Sequence, residues 1–130
     1  MPLIRKVDCV QLHVPDLEVG LAFYRDRLGH ELIWRTETAA GLRLPDSEAE
    51  IVLQTERQVP ETDLLVESAD DAARLIEQAG GKVIVPPFDI PIGRCDVVAD
   101  PWGNTLVLLD GSKGMLQTDA DGNVIGNIKP

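Results

Sequence analysis

The chain has little aromatic surface: only 4% of its 130 residues are aromatic, namely Phe23, Tyr24, Trp34, Phe88 and Trp102. So few rings argue against a cleft that stacks a large planar ligand. The sequence also lacks any apolar run of about eighteen residues, the length that a membrane-spanning helix needs. We therefore expect no membrane partner.

Positive charge and cysteine are scarce as well. Twelve Lys and Arg stand against twenty-two Asp and Glu, which gives a formal net charge of −10. This charge repels the phosphates of a nucleic acid, so we expect no nucleic-acid partner. The two cysteines cannot build a disulfide framework or a zinc ribbon. They predict a protein of a reducing compartment, the cytoplasm.

Length and composition predict a single domain. A chain of 130 residues, 44% of them apolar and 26% charged, has the balance of one globular unit. Within it we place a first module at about 5–57, a second at about 58–112 and a C-terminal arm at about 113–130.

The two modules follow from a repeated pattern. Residues 10–14 alternate apolar and polar, as a half-buried strand does, and Asp16 can cap a helix over 17–28 that stops at Gly29. The pattern returns 52 residues later, with a strand at 62–66, a helix over 69–79 behind Ser68, and a glycine stop. The repeat predicts two copies of one supersecondary unit.

Three strand-like runs follow each helix, at 31–37, 41–44 and 49–55, and again at 82–85, 94–99 and 105–110. Each module is then a βαβββ unit, which by itself leaves one face of its sheet bare. Two such units can form one curved eight-stranded sheet around a cleft, with both helices outside. The predicted fold class is therefore α+β.

Several short words in this order resemble the vicinal oxygen chelate superfamily, which groups glyoxalase I, extradiol ring-cleavage dioxygenases and bleomycin-resistance proteins. They are Val14-Pro15-Asp16-Leu17, the Phe23-Tyr24 helix, Pro87-Phe88, Gly93-Arg94 and the turn Asp100-Pro101-Trp102-Gly103-Asn104. The resemblance covers residues 6–110 and implies the two-module fold. It leaves function open, because lyases, oxygenases, epimerases and binding proteins share this scaffold. It also implies a homodimer.

The resemblance allows a residue-by-residue test of the superfamily's metal site. The four positions that match the glyoxalase I ligands hold Cys9, Val52, Glu61 and Val107. Valine has no atom that can coordinate a metal ion, and the two-His, one-Glu iron site of the extradiol dioxygenases is absent too. We therefore expect no metal cofactor of the superfamily type.

Strand alternation sorts the side chains that would line the cleft. The predicted ligand-binding residues come from four strands and from the segment 86–94: Cys9, Gln11, His13, Glu50, Val52, Gln54, Glu61, Asp63, Phe88, Arg94 and Val107. This mixture of apolar and polar groups is typical of a small-molecule pocket. The prolines of 86–94 predict a rigid loop over the cleft, where Phe88 caps an apolar ligand and Arg94 meets an anionic group.

Two of these residues are candidates for acid–base catalysis. His13 has an imidazole side chain, the group that most often transfers protons in enzymes, and a buried Asp63 can serve as a general base. A divalent metal ion held by His13, Glu50, Glu61 and Asp63 is the alternative cofactor hypothesis. In the tail, 119–123 resembles a calcium loop but lacks the final Glu, so we predict a small hairpin there.

The sequence is compatible with three functions. The first is a small-molecule-binding protein without the superfamily metal. The second is a glyoxalase-like lyase or ring-cleavage dioxygenase with rearranged ligands, and the third is a metal-free enzyme that uses Asp63 or His13. The missing ligands favour the first.

Overall fold

The structure is a computed structural model that describes residues 2–128. Within that range the elements are β1 (Lys6–His13), α1 (Leu17–Leu21) continuing as a π-helical segment (Ala22–Arg27), β2 (Leu32–Arg35), β3 (Ala39–Leu44), β4 (Ser47–Gln54), β5 (Glu61–Leu65), α2 (Ala69–Gln78), β6 (Lys82–Ile90), β7 (Gly93–Ala99), β8 (Thr105–Leu109), β9 (Met115–Thr118) and β10 (Val124–Ile128). None of the helices in 2–128 has both the length and the apolar character needed to cross a membrane.

Strands β1 to β8 form one mixed sheet in the order β2-β3-β4-β1-β5-β8-β7-β6. The two halves of this order repeat each other. In each half the first strand pairs in parallel with the fourth, and the remaining neighbours pair antiparallel. The α+β class and the repeated strand–helix–three-strand pattern are confirmed.

The chain divides into two compact units. The first unit consists of Asp8–Glu61 and Leu116–Gly126, and the second consists of Thr62–Met115 with short stretches from both ends of the described chain. Each unit contains one helix, four strands of the sheet and its own apolar core.

The core of the first unit lies between α1 and its strands, and it contains Val14, Leu17, Leu21, Ala40, Leu42 and Leu53. Asp16 caps α1 as predicted, because its Oδ1 accepts the N–H of Val19 at 3.1 Å. The single helix predicted over 17–28 is wrong in its second half. There the chain is π-helical, and the N–H of Leu28 donates to Phe23 O, five residues back. This wider turn changes the helical phase and leaves Leu28 52% exposed.

The core of the second unit lies between α2 and its strands, and it contains Val66, Ala69, Ala72, Val98 and Leu108. Ser68 caps α2, since its hydroxyl accepts the N–H of Asp71 at 3.2 Å. Asp110 reinforces this start from the end of β8, because its Oδ2 accepts the N–H of Ala69 at 2.8 Å. The predicted helix bounds and cap are confirmed to within one residue.

The loop predicted over 86–94 is wrong except at residues 91–92, because β6 ends at Ile90 and β7 begins at Gly93. Strand β6 continues through Pro86 and Pro87 to Ile90 and pairs with β7 alone. Proline is tolerated there because an edge strand has one side without a hydrogen-bonding neighbour.

The predicted tail hairpin is confirmed as β9 and β10. Its turn repeats the one between β7 and β8. Asp119 accepts the backbone N–H and the side-chain amide of Asn123, just as Asp100 does with Asn104. The glycines of the two turns, Gly122 and Gly103, have φ values of 87° and 88°. The last two residues of the predicted arm lie outside the described range.

Candidate functional site

The predicted site residues of the first unit lie on one face of its sheet. In the parallel register of β1 and β4, Cys9, Gln11 and His13 stand opposite Glu50, Val52 and Gln54, respectively. Leu12 and Leu53, which alternate with them, pack in the core beneath α1. We call the opposite side the helix-free face.

Gln54 builds the turn that leaves this face. Its side chain is only 3% exposed, and its Oε1 accepts the N–H groups of Glu56 at 2.8 Å and Arg57 at 2.7 Å. Its Nε2 donates to the carbonyl of Arg57 at 2.5 Å. The amide therefore fixes the backbone on both sides of Arg57, and with it the starting point of the arginine side chain.

Arg57 lies across the helix-free face of the first unit. Its Nη2 donates to Gln11 Oε1, and its Nε lies 3.5 Å from Glu61 Oε1. The Arg57 side chain is 50% exposed, whereas that of Glu61 is 22% exposed. Arg57 is not among the ligand-binding residues predicted from the sequence. The sequence feature that marks it is its spacing, three residues after Gln54 and four residues before Glu61.

Trp34 and Glu50 form a second polar contact on this face. The indole Nε1 donates to Glu50 Oε1 at 2.7 Å. Burial raises the pKa of Glu50 above its ordinary value, although the hydrogen bond from Trp34 favours the ionised form. Gly41 makes the contact possible, because a Cβ atom there would overlap the indole nitrogen and lie 2.6 Å from Glu50 Oε1.

His13 and Glu50 lie at opposite ends of the paired strands. His13 stands beside Gln54, whereas Glu50 stands beside Cys9, four residues back along β4. Four residues of a strand span roughly 13 Å, so the two side chains cannot share a metal ion. Cys9 is buried, 4% exposed, and is not part of a disulfide.

In the second unit the corresponding face is mainly apolar. Asp63 stands opposite Val107, and Leu65 stands opposite Leu109. Phe88 pairs with Cys95 at the edge of the same sheet, and it is 40% exposed. Asp63 is only 4% exposed, so it is a buried carboxyl among largely apolar neighbours.

Arg94 lies on the α2 side of β7, because it alternates with Cys95 and shares its side with Val98 of the core. Its guanidinium contacts Asp70 at 3.2 Å and Asp89 at 3.4 Å. Phe88 stands opposite Cys95 and therefore belongs to the other face. The two residues predicted to act together from 86–94 are separated by the sheet.

Asp96 lies two residues further along β7, on the same side. It is completely buried, and neither carboxylate oxygen has a hydrogen-bond partner in the described part of the chain. Burial raises its pKa to about 6, and the negative charges of Asp70 and Asp110 add to the shift. Nothing in the sequence pattern marked this residue.

One cavity lies beside α2 in the second unit. It has a volume of about 680 Å³ and is lined by residues of α2 and of the neighbouring edge strands, including Asp70, Arg74, Pro87 and Arg94. A smaller cavity of about 430 Å³ lies in the first unit, between Arg35 and Val124. Of the predicted ligand-binding residues, only Arg94 lines either cavity.

Residues 6–108 match the family model of the Glyoxalase/Bleomycin resistance protein/Dioxygenase superfamily. The chain belongs to this superfamily. The resemblance inferred from the short sequence words is thereby confirmed.

Solved structures of the superfamily have the same fold. Methylmalonyl-CoA epimerase from Mycobacterium tuberculosis is 22% identical with a TM-score of 0.72, over 85% of this chain and 90% of that one. The Mn(II)-bound glyoxalase from Novosphingobium aromaticivorans is 20% identical with a TM-score of 0.61, over all of this chain and 43% of that one. Homoprotocatechuate 2,3-dioxygenase from Brevibacterium fuscum is 22% identical with a TM-score of 0.60, over 85% and 37%. No curated protein matches the chain.

Four positions were matched to the glyoxalase I metal ligands by the sequence resemblance, and they hold Cys9, Val52, Glu61 and Val107. Of the four matching positions, Val52 and Val107 have alkyl side chains without a donor atom. Glu61 is paired with Arg57, a permanent cation that competes with a metal ion for the carboxylate. Across residues 2–128, no three His, Cys, Asp or Glu side chains are grouped so that they could hold a metal ion.

Proposed function

We propose that this superfamily member binds a small organic molecule and does so without a metal ion at the superfamily's ligand positions. The observation that carries the proposal is the pair of valines, Val52 and Val107, at two of those four positions. The ion pair between Arg57 and Glu61 supports it, because it already neutralises one of the two remaining donors.

The helix-free face of the first unit offers recognition groups for such a ligand. Gln11 and Glu61 hold a half-exposed guanidinium, and Trp34 presents an indole next to the carboxylate of Glu50. A few placed polar groups among buried Cys9 and Val52 are the composition that small-molecule sites have. In the second unit, Phe88, Asp63 and Val107 supply a mainly apolar surface.

A fragment screen on chelator-treated, ¹⁵N-labelled protein tests this proposal. We expect some fragments to move the backbone amide resonances of β1 and β4 in the absence of metal. The proposal is wrong if fragments bind only after a divalent ion is added. That result favours the metal-dependent lyase or dioxygenase with rearranged ligands.

Metal-free acid–base chemistry at Asp63 is a second candidate. Its support is the burial of this carboxyl, 4% exposed on a face with Val107 and Leu65, since buried carboxyls are often functional. Once a bound molecule is known, Asp63→Asn should leave its binding intact and abolish its conversion. Unchanged conversion in Asp63→Asn removes this candidate. If His13 is the catalytic group instead, His13→Ala should keep binding and lose conversion.

We further propose a cytoplasmic homodimer. The two cysteines, Cys9 and Cys95, are buried and form no disulfide in the described chain, which suits a reducing compartment. Met115, Ile125 and Ile128 of the tail hairpin are 74%, 61% and 56% exposed, and a second copy of the chain can cover them. Light scattering during size-exclusion chromatography decides between one and two chains.

A further inference from the structure

The side chain of Arg57 is held in place from both ends. At the backbone end, buried Gln54 fixes the peptide groups on either side of it with three hydrogen bonds. At the guanidinium end, Nη2 donates a hydrogen bond to Gln11, and the Glu61 carboxylate forms an ion pair with the group. An arginine that is ordered in this way loses little conformational entropy when it binds a further group.

The guanidinium retains donors for such a group. It carries five N–H bonds in a planar fork, and the contacts to Gln11 and Glu61 use Nη2 and Nε. Neither of these two contacts uses Nη1, and the side chain is half exposed. This fork suits a carboxylate, which it can bind through two parallel hydrogen bonds.

The surroundings place this cation where a metal would otherwise supply positive charge. Gln11, the acceptor of Nη2, stands directly opposite Val52 in the sheet, and the Glu61 carboxylate forms an ion pair with the same guanidinium, 3.5 Å from Nε. Val52 and Glu61 are two of the positions at which this chain departs from the superfamily's ligand set. The face therefore keeps a fixed positive charge although its donor set cannot hold a metal ion.

We propose that Arg57 is the anchor of the binding site and that the ligand is a small organic acid whose carboxylate pairs with its guanidinium. This inference rests on the proposed function and names its ligand class. Gln54 is a positioning residue, because it acts only through Arg57. Glu61 is the internal competitor, since an arriving carboxylate has to share the guanidinium with it.

The test uses two acids, pyruvate and benzoate, with their neutral amides, pyruvamide and benzamide, as matched probes. Titrations on the full-length, chelator-treated chain follow the Nε–Hε resonance of Arg57, assigned by its loss in Arg57→Lys. We expect both acids to move this resonance at millimolar concentration and the amides to leave it in place.

Three variants make the test specific. Arg57→Gln should weaken binding of the acids by about tenfold or more, because it removes a charge-assisted pair. Arg74→Gln is the control, since Arg74 forms an exposed ion pair with Asp71 on α2 of the second unit; its affinity should equal that of the unmodified chain. Glu61→Gln should bind the acids more tightly, because it keeps the size of the side chain and removes the competing negative charge.

The outcomes separate this inference from the proposed function. Equal affinity of acids and amides, or acid binding that Arg57→Gln leaves unchanged, overturns the role of Arg57 while metal-free binding stands. Binding of any probe only after a divalent ion is supplied overturns both. Weaker acid binding in Glu61→Gln also contradicts the inference, whereas thermal unfolding of each variant shows whether it is folded.

Discussion

Gln54 binds Arg57 through both of its peptide groups, accepting the N–H at 2.7 Å and donating to the carbonyl oxygen at 2.5 Å. A side chain thus supplies the partners that a turn normally finds in its own backbone. The amide is buried at the end of β4, so water does not compete for it. The direction in which the chain leaves the sheet depends on this one residue.

Replacement of Gln54 by Ala should therefore destabilise the protein. The variant loses three hydrogen bonds at a buried position, and we expect the free energy of unfolding to fall by about 2–3 kcal/mol. Urea denaturation measures it. Gln78→Ala on the exposed end of α2 is the matched control and should change stability by less than about 0.5 kcal/mol. Equal effects of the two substitutions would show that the Gln54 hydrogen bonds contribute nothing.

Gly41→Ala tests the contact between Trp34 and Glu50. The new Cβ would occupy the place of the indole nitrogen, so the indole has to move and its hydrogen bond to Glu50 is lost. We expect a loss of about 2–4 kcal/mol from overpacking and the unpaired groups. The indole N–H resonance of Trp34 should shift as well. Gly111→Ala is the control, because a Cβ atom at that position would have no neighbour within 4 Å; an unchanged Trp34 resonance in Gly41→Ala would refute the contact.

Asp96 should make stability depend on pH. Its pKa in the folded chain is about 6, above the ordinary value of 3.8, so the folded state holds a proton that the unfolded state has lost between these pH values. The free energy of unfolding therefore decreases as the pH rises through 6. The full effect is about 3 kcal/mol, the cost of ionising a buried carboxyl that lies near Asp70 and Asp110.

Asp96→Asn removes this titration. The free energy of unfolding of the variant minus that of the unmodified chain should increase by about 2–3 kcal/mol from pH 4 to pH 7.5. This increase does not depend on the sign of the difference at pH 4. Urea denaturation at several pH values measures the difference. Asp46→Asn, in an exposed turn, provides the control for changes in net charge. A constant difference between Asp96→Asn and the unmodified chain across this range would contradict the assignment.

The fold was accessible from the sequence because its signals are local and occur twice. Asp16 and Ser68 cap the helices where the spacing predicted, and Gly29 ends the first helical segment with a φ of 83°. The π-helical stretch was not predictable, because a shift from a four-residue to a five-residue hydrogen-bond step leaves no mark in residue type. The edge position of β6, which makes Pro86 and Pro87 tolerable, depends on the order of strands in the sheet.

The site was predicted only in part. Alternation correctly gathered Gln11, Val52 and Glu50 on one face, since that follows from the strand period. It could not identify Arg57, whose position is set by the Gln54 turn and by the hydrogen bond to Gln11, 46 positions away in the sequence. Arg94 was predicted to meet an anionic ligand group because it is an arginine, but the register of β7 turns it towards Asp70 and α2.

The metal dependence of ligand binding tests the central proposal most directly. The protein is purified without chelator, its content of zinc, nickel, iron and manganese is measured by mass spectrometry, and benzoate affinity is determined before and after treatment with a chelator. We predict a small fraction of one metal equivalent per chain and an affinity that the chelator does not change. One equivalent of a single metal, with binding that disappears on its removal and returns on its addition, would contradict the account.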